Sequence, residues 1–286
     1  MPATNAKPRA LRRGVPWTMQ HSPARPGRRQ GTPRGYFELS RRPLHIFVFL
    51  FPLIAAYEAG SILYLGQRDG FTETIRAHSI ILGFFQDFGI AGRFLPGVAL
   101  ATVLVVWHIL SGERWRVRPA VVPLMILESL AWTIPLLVLV ALVKSTGTPA
   151  HLSPAAATPL PPGDVFAALP WQARATVAVG AGLYEELLFR MIGIAALHLV
   201  LVDLARMSDR AGSILAVVLT SVAFVFYHDV VATNGQFDAL KATQLLCAGA
   251  YFGAVFLYRG FGIVVGVHAL YDVAVLVVFP ALAGHS

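Results

Sequence analysis

The chain has 286 residues, of which 56 % are hydrophobic and only 13 % are charged. Soluble domains contain about 25 % charged residues, so this composition excludes an ordinary soluble domain and is typical of a polytopic membrane protein. The formal net charge is +8, but ten of the 23 basic residues precede Leu44. Because most of the others flank apolar runs, we predict no nucleic-acid partner. The single cysteine, Cys247, excludes a disulfide framework and a cysteine-based zinc site.

Residues 1–43 contain seven prolines, ten basic residues and one acidic residue, Glu38. A segment of this composition cannot bury enough apolar surface to offset its ordering entropy, so it predicts a disordered basic tail. We expect no signal peptide, because no apolar stretch follows the early arginines. The positive charge suits contact with anionic headgroups, which makes membrane lipid a predicted partner.

Seven apolar stretches follow the tail. A helix needs about 20 residues to cross a bilayer, and backbone groups in lipid must be hydrogen-bonded internally. The expected fold class is therefore all-α: a polytopic transmembrane helical bundle over 44–286, with about seven spans (six to eight). The predicted spans are 44–66, 94–111, 120–143, 171–202, 213–232, 240–258 and 261–282.

Basic residues are concentrated in the tail and in the 112–119 connection, which holds Arg114, Arg116 and Arg118. Connections on the cytoplasmic side of membrane proteins are enriched in lysine and arginine. We therefore predict an integral multi-pass membrane protein whose N-terminus is cytoplasmic. Seven spans then place the C-terminus on the outer side.

An ionisable side chain inside a hydrocarbon span is energetically unfavourable and suggests a functional site. The fourth stretch contains Glu185, Glu186 and Arg190. Glu186 and Arg190 are four residues apart and can pair along one helix face. Adjacent residues lie about 100° apart around a helix, so Glu185 points elsewhere and is free for chemistry.

Two later stretches carry histidines. His228 lies near the end of the fifth stretch, and His268 and Asp272 share one face of the last. With about 1.5 Å of rise per residue, His268 lies about 10–14 Å from the inner end of its helix, whereas Glu185 and His228 lie about 22 Å from it. Helix tilt has to close that difference if the three side chains meet.

A carboxylate and two imidazoles are the groups needed to activate a water molecule. Glu185, His228 and His268 also suit a catalytic metal such as zinc with one open position. The HExxH motif of zinc proteases is absent. The residues therefore leave two alternatives open, a site that requires no cofactor and one that uses a divalent metal.

Three motifs in this order resemble those of the CPBP family, which comprises the CaaX prenyl endopeptidases and the bacteriocin-processing, Abi-type proteins. The resemblance covers about 170–282 and implies an intramembrane endopeptidase core within the helical bundle. Its substrate would be a protein or peptide with a cleavage site close to the membrane. The motifs are Glu185-Glu186-x-x-x-Arg190, Phe224-x-x-x-His228 and His268-x-x-x-Asp272.

The resemblance also implies roles for individual residues. Glu185 would be the general base, and His228 would help to hold the attacking water. His268 and residue 272 would stabilise the oxyanion of the tetrahedral intermediate. The family was long described as metalloproteases, and a metal-independent glutamate mechanism has also been proposed for it.

The resemblance also implies that Glu186 and Arg190 support the site. Asp272 is a variant of the asparagine common in the family, and an ionised aspartate cannot donate a hydrogen bond to an oxyanion. Asp272 is therefore protonated through burial, orients His268 or is a metal ligand; we favour the last two. Two other intramembrane acids, Glu58 and Glu128, either line the cavity or pair with other helices.

Two other functions remain open at this point. A non-catalytic relative of the family, acting in immunity or as a scaffold, could keep the polar site for folding or binding. A proton- or metal-coupled transporter could use the same side chains as a relay. Transporters often contain two related halves, whereas the ionisable cluster here lies in one half of the chain.

Overall fold

The computed structural model of the chain describes residues 35–65, 67–68, 71–72, 76–89, 92, 94–146, 169–231 and 235–283. Residues 1–34 of the predicted basic tail lie outside these ranges. The helices are α1 (Tyr36–Leu39), α2 (Pro43–Leu63), α3 (Arg76–Asp87), α4 (Leu95–Leu110), α5 (Val121–Thr146), α6 (Trp171–Glu186), α7 (Ala195–His198), α8 (Asp209–Tyr227), α9 (Ala239–Arg259), α10 (Phe261–Val273) and α11 (Phe279–Ala283). Two-residue strands β1 (Gln67–Arg68) and β2 (Phe71–Thr72) pair antiparallel, with Gln67 opposite Thr72.

Each of the seven predicted spans corresponds to a helix, which confirms the all-α bundle. Within the described residues, six helical stretches are long and apolar enough to cross a membrane. The remaining predicted span, 94–111, forms α4, which has 16 residues and is shorter than the others. The six long stretches are Pro43–Leu63, Val121–Val143, Trp171–Leu204, Asp209–Tyr227, Ala239–Arg259 and Phe261–Leu282.

The stretch Trp171–Leu204 alternates between α-helical and π-helical segments. α6 ends at Glu186, and a π-helical segment continues it over Leu187–Ile194. After α7, a second π-helical segment covers Leu199–Leu204. π-helical turns occur frequently at functional sites, and here the first begins directly after the carboxylate pair.

The structure corrects the boundary of the predicted tail, because residues 36–39 form α1, and α2 begins at Pro43. α1 is held to the bundle by the Tyr36 hydroxyl, which donates to the Glu128 carboxylate on α5. That carboxylate also pairs with Arg259 at the end of α9, whose Nη2 lies 2.7 Å from its Oε2. Arg259 in turn donates to Ser40 Oγ over 3.0 Å. Glu128 therefore pairs with other helices. Through Tyr36 and Ser40, the Glu128–Arg259 pair holds α1, whose sequence has little tendency to form a helix by itself.

α6 and α10 pack closely because small residues face each other. A Cβ added at Gly182 would lie 2.7 Å from the backbone nitrogen of Ala269, so only glycine fits at this contact. α8 and α9 meet in the same way, since a Cβ at Gly249 would lie 3.1 Å from Ser221 Cα. Small residues at such contacts let membrane helices approach closely. Because α9 also packs on α10, the two contacts bring the polar residues of α6, α8 and α10 into one region.

α3 was not predicted from the sequence. It has 12 residues, buries Ala77 and His78 and leaves Ile80 and Phe84 largely exposed. Its length is below that of a membrane span. The buried His78 ring packs at 5.0 Å from the Tyr184 ring of α6, so α3 lies against the helix that carries the glutamate pair.

Candidate functional site

The three predicted motifs converge on one carboxylate oxygen. Glu185 Oε2, at the end of α6, lies 3.9 Å from His228 Nε2 and 3.9 Å from His268 Nε2. Glu185 is only 5 % exposed, and its Oε2 has no hydrogen-bond partner among the described residues. A buried carboxylate oxygen between two imidazole nitrogens is the central feature of the site.

The hydrogen bond on the other side of the ring sets the orientation of His228. His228 follows α8 in an extended conformation, and its Nδ1 lies 2.9 Å from the Phe224 carbonyl oxygen. A carbonyl can only accept, so Nδ1 carries the proton and Nε2 is the acceptor in the neutral ring. Burial lowers the pKa of His228 below its ordinary value, which favours this neutral form. Its Nε2 thus presents a lone pair next to Glu185.

Carboxylates surround His268, which is buried on α10. Its Nδ1 lies 2.7 Å from Glu186 Oε1, and its Nε2 lies 3.5 Å from Asp272 Oδ2. Because an ionised carboxylate accepts hydrogen bonds only, the Nδ1 proton points to Glu186. The ring also stacks on Phe252 at 4.4 Å with an angle of 18° between the planes. These contacts hold the imidazole in one orientation with Nε2 toward Glu185.

The predicted pair of Glu186 and Arg190 is confirmed. Arg190 Nη1 lies 3.1 Å from Glu186 Oε1, and Nη2 donates to the Gly249 carbonyl over 3.1 Å. The guanidinium carbon lies 4.8 Å from the Phe224 ring and 5.2 Å from the Phe252 ring. Arg190 is only 1 % exposed. This buried charge is compensated by one carboxylate, one carbonyl and two aromatic faces, as a buried ion requires.

The distances suit a small molecule shared by Glu185 and His228. Two atoms 3.9 Å apart can both lie within about 2.8 Å of one oxygen, which is hydrogen-bond distance. Both atoms are acceptors in the states described above, so a water molecule can donate one proton to each. Its lone pairs would then face away from both groups, toward an incoming electrophile.

A metal ion fits the same atoms less well. Within the described ranges, no group of three or more histidine, cysteine, aspartate or glutamate side chains is arranged to hold one. A separation of 3.9 Å between the Glu185 and histidine atoms exceeds that expected for two ligands at about 2.0–2.2 Å from one zinc in tetrahedral geometry. The set Glu185, His228 and His268 therefore remains a prediction as a metal site, and no step below passes through a metal.

Sequence reasoning gave no role to Tyr227, which precedes His228. Its hydroxyl lies next to the Glu185 carboxylate and accepts the backbone N–H of Ala77 over 2.7 Å. The only sequence feature that pointed to Tyr227 was its position next to His228. Nothing in the sequence indicated its contact with α3. Tyr184 was also given no role, and its hydroxyl donates to Glu58 over 3.0 Å. Glu58 thus pairs with another helix beside the site.

An apolar groove opens next to Tyr227. Its volume is about 520 Å³, and it runs between α3, the first π-helical segment and α8. Tyr227 and Phe189 belong both to the groove and to the aromatic surroundings of the site, with ring centroids 5.2 Å apart. The groove is lined by Ile80, Leu188, Phe189, Gly193, Ala196, Leu197, Leu219, Thr220, Ala223 and Tyr227.

The Rce1-like family model, described as type II CAAX prenyl endopeptidase Rce1-like, matches residues 167–274. The match confirms the resemblance to CaaX prenyl endopeptidases that the three motifs predicted. It contains all six predicted site residues, from Glu185 to Asp272. No curated protein and no solved structure matches the chain.

Proposed function

We propose that this chain, which carries an Rce1-like CAAX prenyl endopeptidase domain over residues 167–274, is an intramembrane endopeptidase. It hydrolyses a peptide bond of a membrane-associated protein or peptide with water activated by Glu185. The observation that supports this proposal most is the position of Glu185 Oε2, 3.9 Å from both imidazole Nε2 atoms. A carboxylate and two imidazoles around one point can hold, deprotonate and direct a water molecule.

The first step is the attack of water. Water donates one proton to Glu185 and the other to His228 Nε2. As its oxygen bonds to the scissile carbonyl carbon, the first proton passes to Glu185 and the carbonyl π electrons move to the carbonyl oxygen. A general base within hydrogen-bond reach of the proton that it removes contributes about 10²–10⁴-fold to the rate.

The second step is the collapse of the tetrahedral intermediate. His268 lies between the carboxylates of Glu186 and Asp272, which favour the doubly protonated ring, so its Nε2 can donate to the oxyanion on the same side of the site. Asp272, at 3.5 Å from that nitrogen, orients the ring and does not itself donate. The C–N bond then breaks, and the proton on Glu185 passes to the leaving nitrogen. The products are a carboxylic acid and an amine.

Glu186 and Arg190 act through His268. The Glu186 carboxylate accepts from His268 Nδ1 and pairs with Arg190, so it fixes the imidazole while its own charge is balanced. Such a carboxylate–histidine arrangement sets ring orientation and tautomer. The pair is thus placed to keep His268 in the orientation that the reaction needs.

The substrate reaches the site from the membrane in this proposal. The apolar groove shares Tyr227 and Phe189 with the surroundings of the site, and its volume of about 520 Å³ accommodates apolar side chains of a peptide. Burial of such side chains contributes about 25 cal/mol per Å² of apolar area. Glu185 then acts on the bond next to the bound apolar segment.

Cleavage of membrane-anchored peptides by the purified full-length chain in lipid nanodiscs tests the proposal. Mass spectrometry identifies the new termini, and H₂¹⁸O in the buffer labels the new carboxyl group if water is the nucleophile. We expect Glu185→Ala and His228→Ala to lower kcat by about 10²-fold or more. Glu38→Gln, on an exposed part of α1, is the matched control and keeps the wild-type rate.

Four outcomes would redirect the assignment. Wild-type turnover in Glu185→Ala removes Glu185 as the base. Loss of activity with a chelator and recovery with Zn²⁺ selects the metal alternative for Glu185, His228 and His268. Binding of the peptides by the wild-type chain without any cleavage favours the non-catalytic alternative, and solute uptake into vesicles favours the transporter.

A further inference from the structure

The Tyr227 hydroxyl lies between α3 and the Glu185 carboxylate. It accepts the Ala77 backbone N–H over 2.7 Å, and it lies next to the Glu185 carboxylate. A phenol has a single proton to donate. Because an N–H can only donate, the hydroxyl acts as acceptor toward Ala77 and its own proton is directed at Glu185. The Tyr227 hydroxyl therefore connects the Ala77 N–H, in the first turn of α3, to the Glu185 carboxylate.

A second set of contacts holds α3 against the residues that follow α8. The Arg76 guanidinium donates to the Tyr227 carbonyl oxygen and lies 3.4 Å from Asp229 Oδ1. It also lies 5.5 Å from the centre of the Tyr227 ring. The first turn of α3 thus contacts the backbone, the ring and the hydroxyl of one tyrosine.

We propose that Tyr227 is a positioning residue that holds the Glu185 carboxylate facing His228 and His268, and that α3 fixes Tyr227 for this purpose. This inference rests on the proposed function, in which Glu185 is the base. Without the phenol proton, the carboxylate can rotate away from the shared point between the two imidazoles. Small errors in the position of a catalytic group lower the rate by up to about 10²-fold.

The aromatic ring and the hydroxyl of Tyr227 have separable effects. The ring packs 5.2 Å from Phe189 and 4.9 Å from His228, and a phenylalanine keeps both contacts. Tyr227→Phe therefore removes the hydroxyl alone, with the Ala77 hydrogen bond and the proton directed at Glu185. Tyr251→Phe is the matched control, since it removes a hydroxyl that donates to the Trp132 carbonyl on α5, outside the site.

The experiment measures kcat, KM and the midpoint of thermal unfolding for the full-length chain in nanodiscs, with the peptide that the wild type cleaves. We expect Tyr227→Phe to lower kcat about tenfold and to leave KM within about twofold. Tyr251→Phe should keep wild-type kcat, with a similar change in the unfolding midpoint. A kcat for Tyr227→Phe equal to that of Tyr251→Phe overturns the proposal, and so does a change confined to KM.

A second variant tests the contribution of α3 without touching the tyrosine. Arg76 is exposed, so Arg76→Gln should fold, and we expect kcat to fall about threefold with KM unchanged. Arg114→Gln, at an exposed position in the 112–119 connection, is its control and should keep the wild-type kcat. If Arg76→Gln matches Arg114→Gln, α3 does not fix the tyrosine. Inactivity of Glu185→Gln in the same assay separates failure of this inference from failure of the proposed function.

Discussion

Glu186 Oε1 and His268 Nδ1 lie 2.7 Å apart, although 82 residues separate them in the chain. The same carboxylate oxygen lies 3.1 Å from Arg190 Nη1. One buried acid therefore orients the imidazole of α10 and balances the guanidinium of its own helix. Because the fold and the site depend on the same carboxylate, a substitution of Glu186 should affect both stability and activity.

Glu186→Gln should destabilise the fold. It leaves the Arg190 charge without its carboxylate in a position that is 1 % exposed, and breaking a buried ion pair costs about 3–5 kcal/mol. Denaturant unfolding in mild detergent measures the loss, with Glu38→Gln as the exposed control. A free energy of unfolding within 1 kcal/mol of wild type, on the order of one surface pair, would contradict this prediction.

Gly182→Ala should separate α6 from α10. The new Cβ would lie 2.7 Å from the Ala269 nitrogen, which is backbone and cannot rotate away. Overpacking of this kind costs about 1–3 kcal/mol, and we expect kcat to fall with stability because Glu185 moves away from His268. Gly83→Ala on α3 is the control: its Cβ meets no atom within 4 Å, and alanine favours a helix by about 0.5–1 kcal/mol. Equal stability of the two variants would show that the helix contact is looser than described.

Glu128→Gln should affect stability and leave catalysis intact. Glu128 binds Arg259, Tyr36 and Trp132, and none of these residues contacts the glutamate–histidine site. Loss of its charge leaves Arg259 buried without a counter-ion, at a cost of about 3–5 kcal/mol for a fully buried pair. The unfolding midpoint should fall while kcat of the folded protein, measured at low temperature, stays within about twofold of wild type. A tenfold fall in kcat would instead connect this cluster to the site.

Ala223→Phe should fill the apolar groove. Ala223 lines it on α8, together with Tyr227, so a phenyl ring there occupies the volume that the substrate needs. We expect KM to rise at least about fivefold with little change in kcat, as for a loss of binding energy alone. Val218→Phe adds the same ring to an exposed position of α8 outside the groove, and its KM should match wild type. Identical KM values for both variants would remove the groove as the substrate site.

The local pairs of the site were predictable from the sequence. Glu186 with Arg190 and His268 with Asp272 are each four residues apart, and they lie 3.1 Å and 3.5 Å apart in the structure. Helical periodicity determines such neighbours without any knowledge of the other helices. The convergence of His268 with Glu185 and His228 did not follow from the sequence, since counting residues along straight helices placed His268 at another depth. Close packing of α6 on α10 at Gly182 removes that difference.

Two segments differ from what the sequence predicted, for opposite reasons. α3 is too short for a span and has charged ends, so hydropathy gave no sign of it, yet it supplies the N–H that Tyr227 accepts. Residues 36–43 have the composition of a disordered segment, yet the Glu128–Arg259 pair orders them through Tyr36 and Ser40. In both cases the deciding contacts are more than 90 residues distant, and no local pattern encodes them.

Composition and hydropathy alone determined that this is a helical membrane protein, because apolar stretches in lipid have no alternative to internal backbone hydrogen bonding. The order of the three motifs likewise determined the family resemblance. Only the tertiary structure decided which atoms face each other: one oxygen of Glu185 between two imidazoles, with Tyr227 and α3 behind it. The rotation and depth of each helix depend on side-chain packing against its neighbours, and that packing is a property of the assembled bundle.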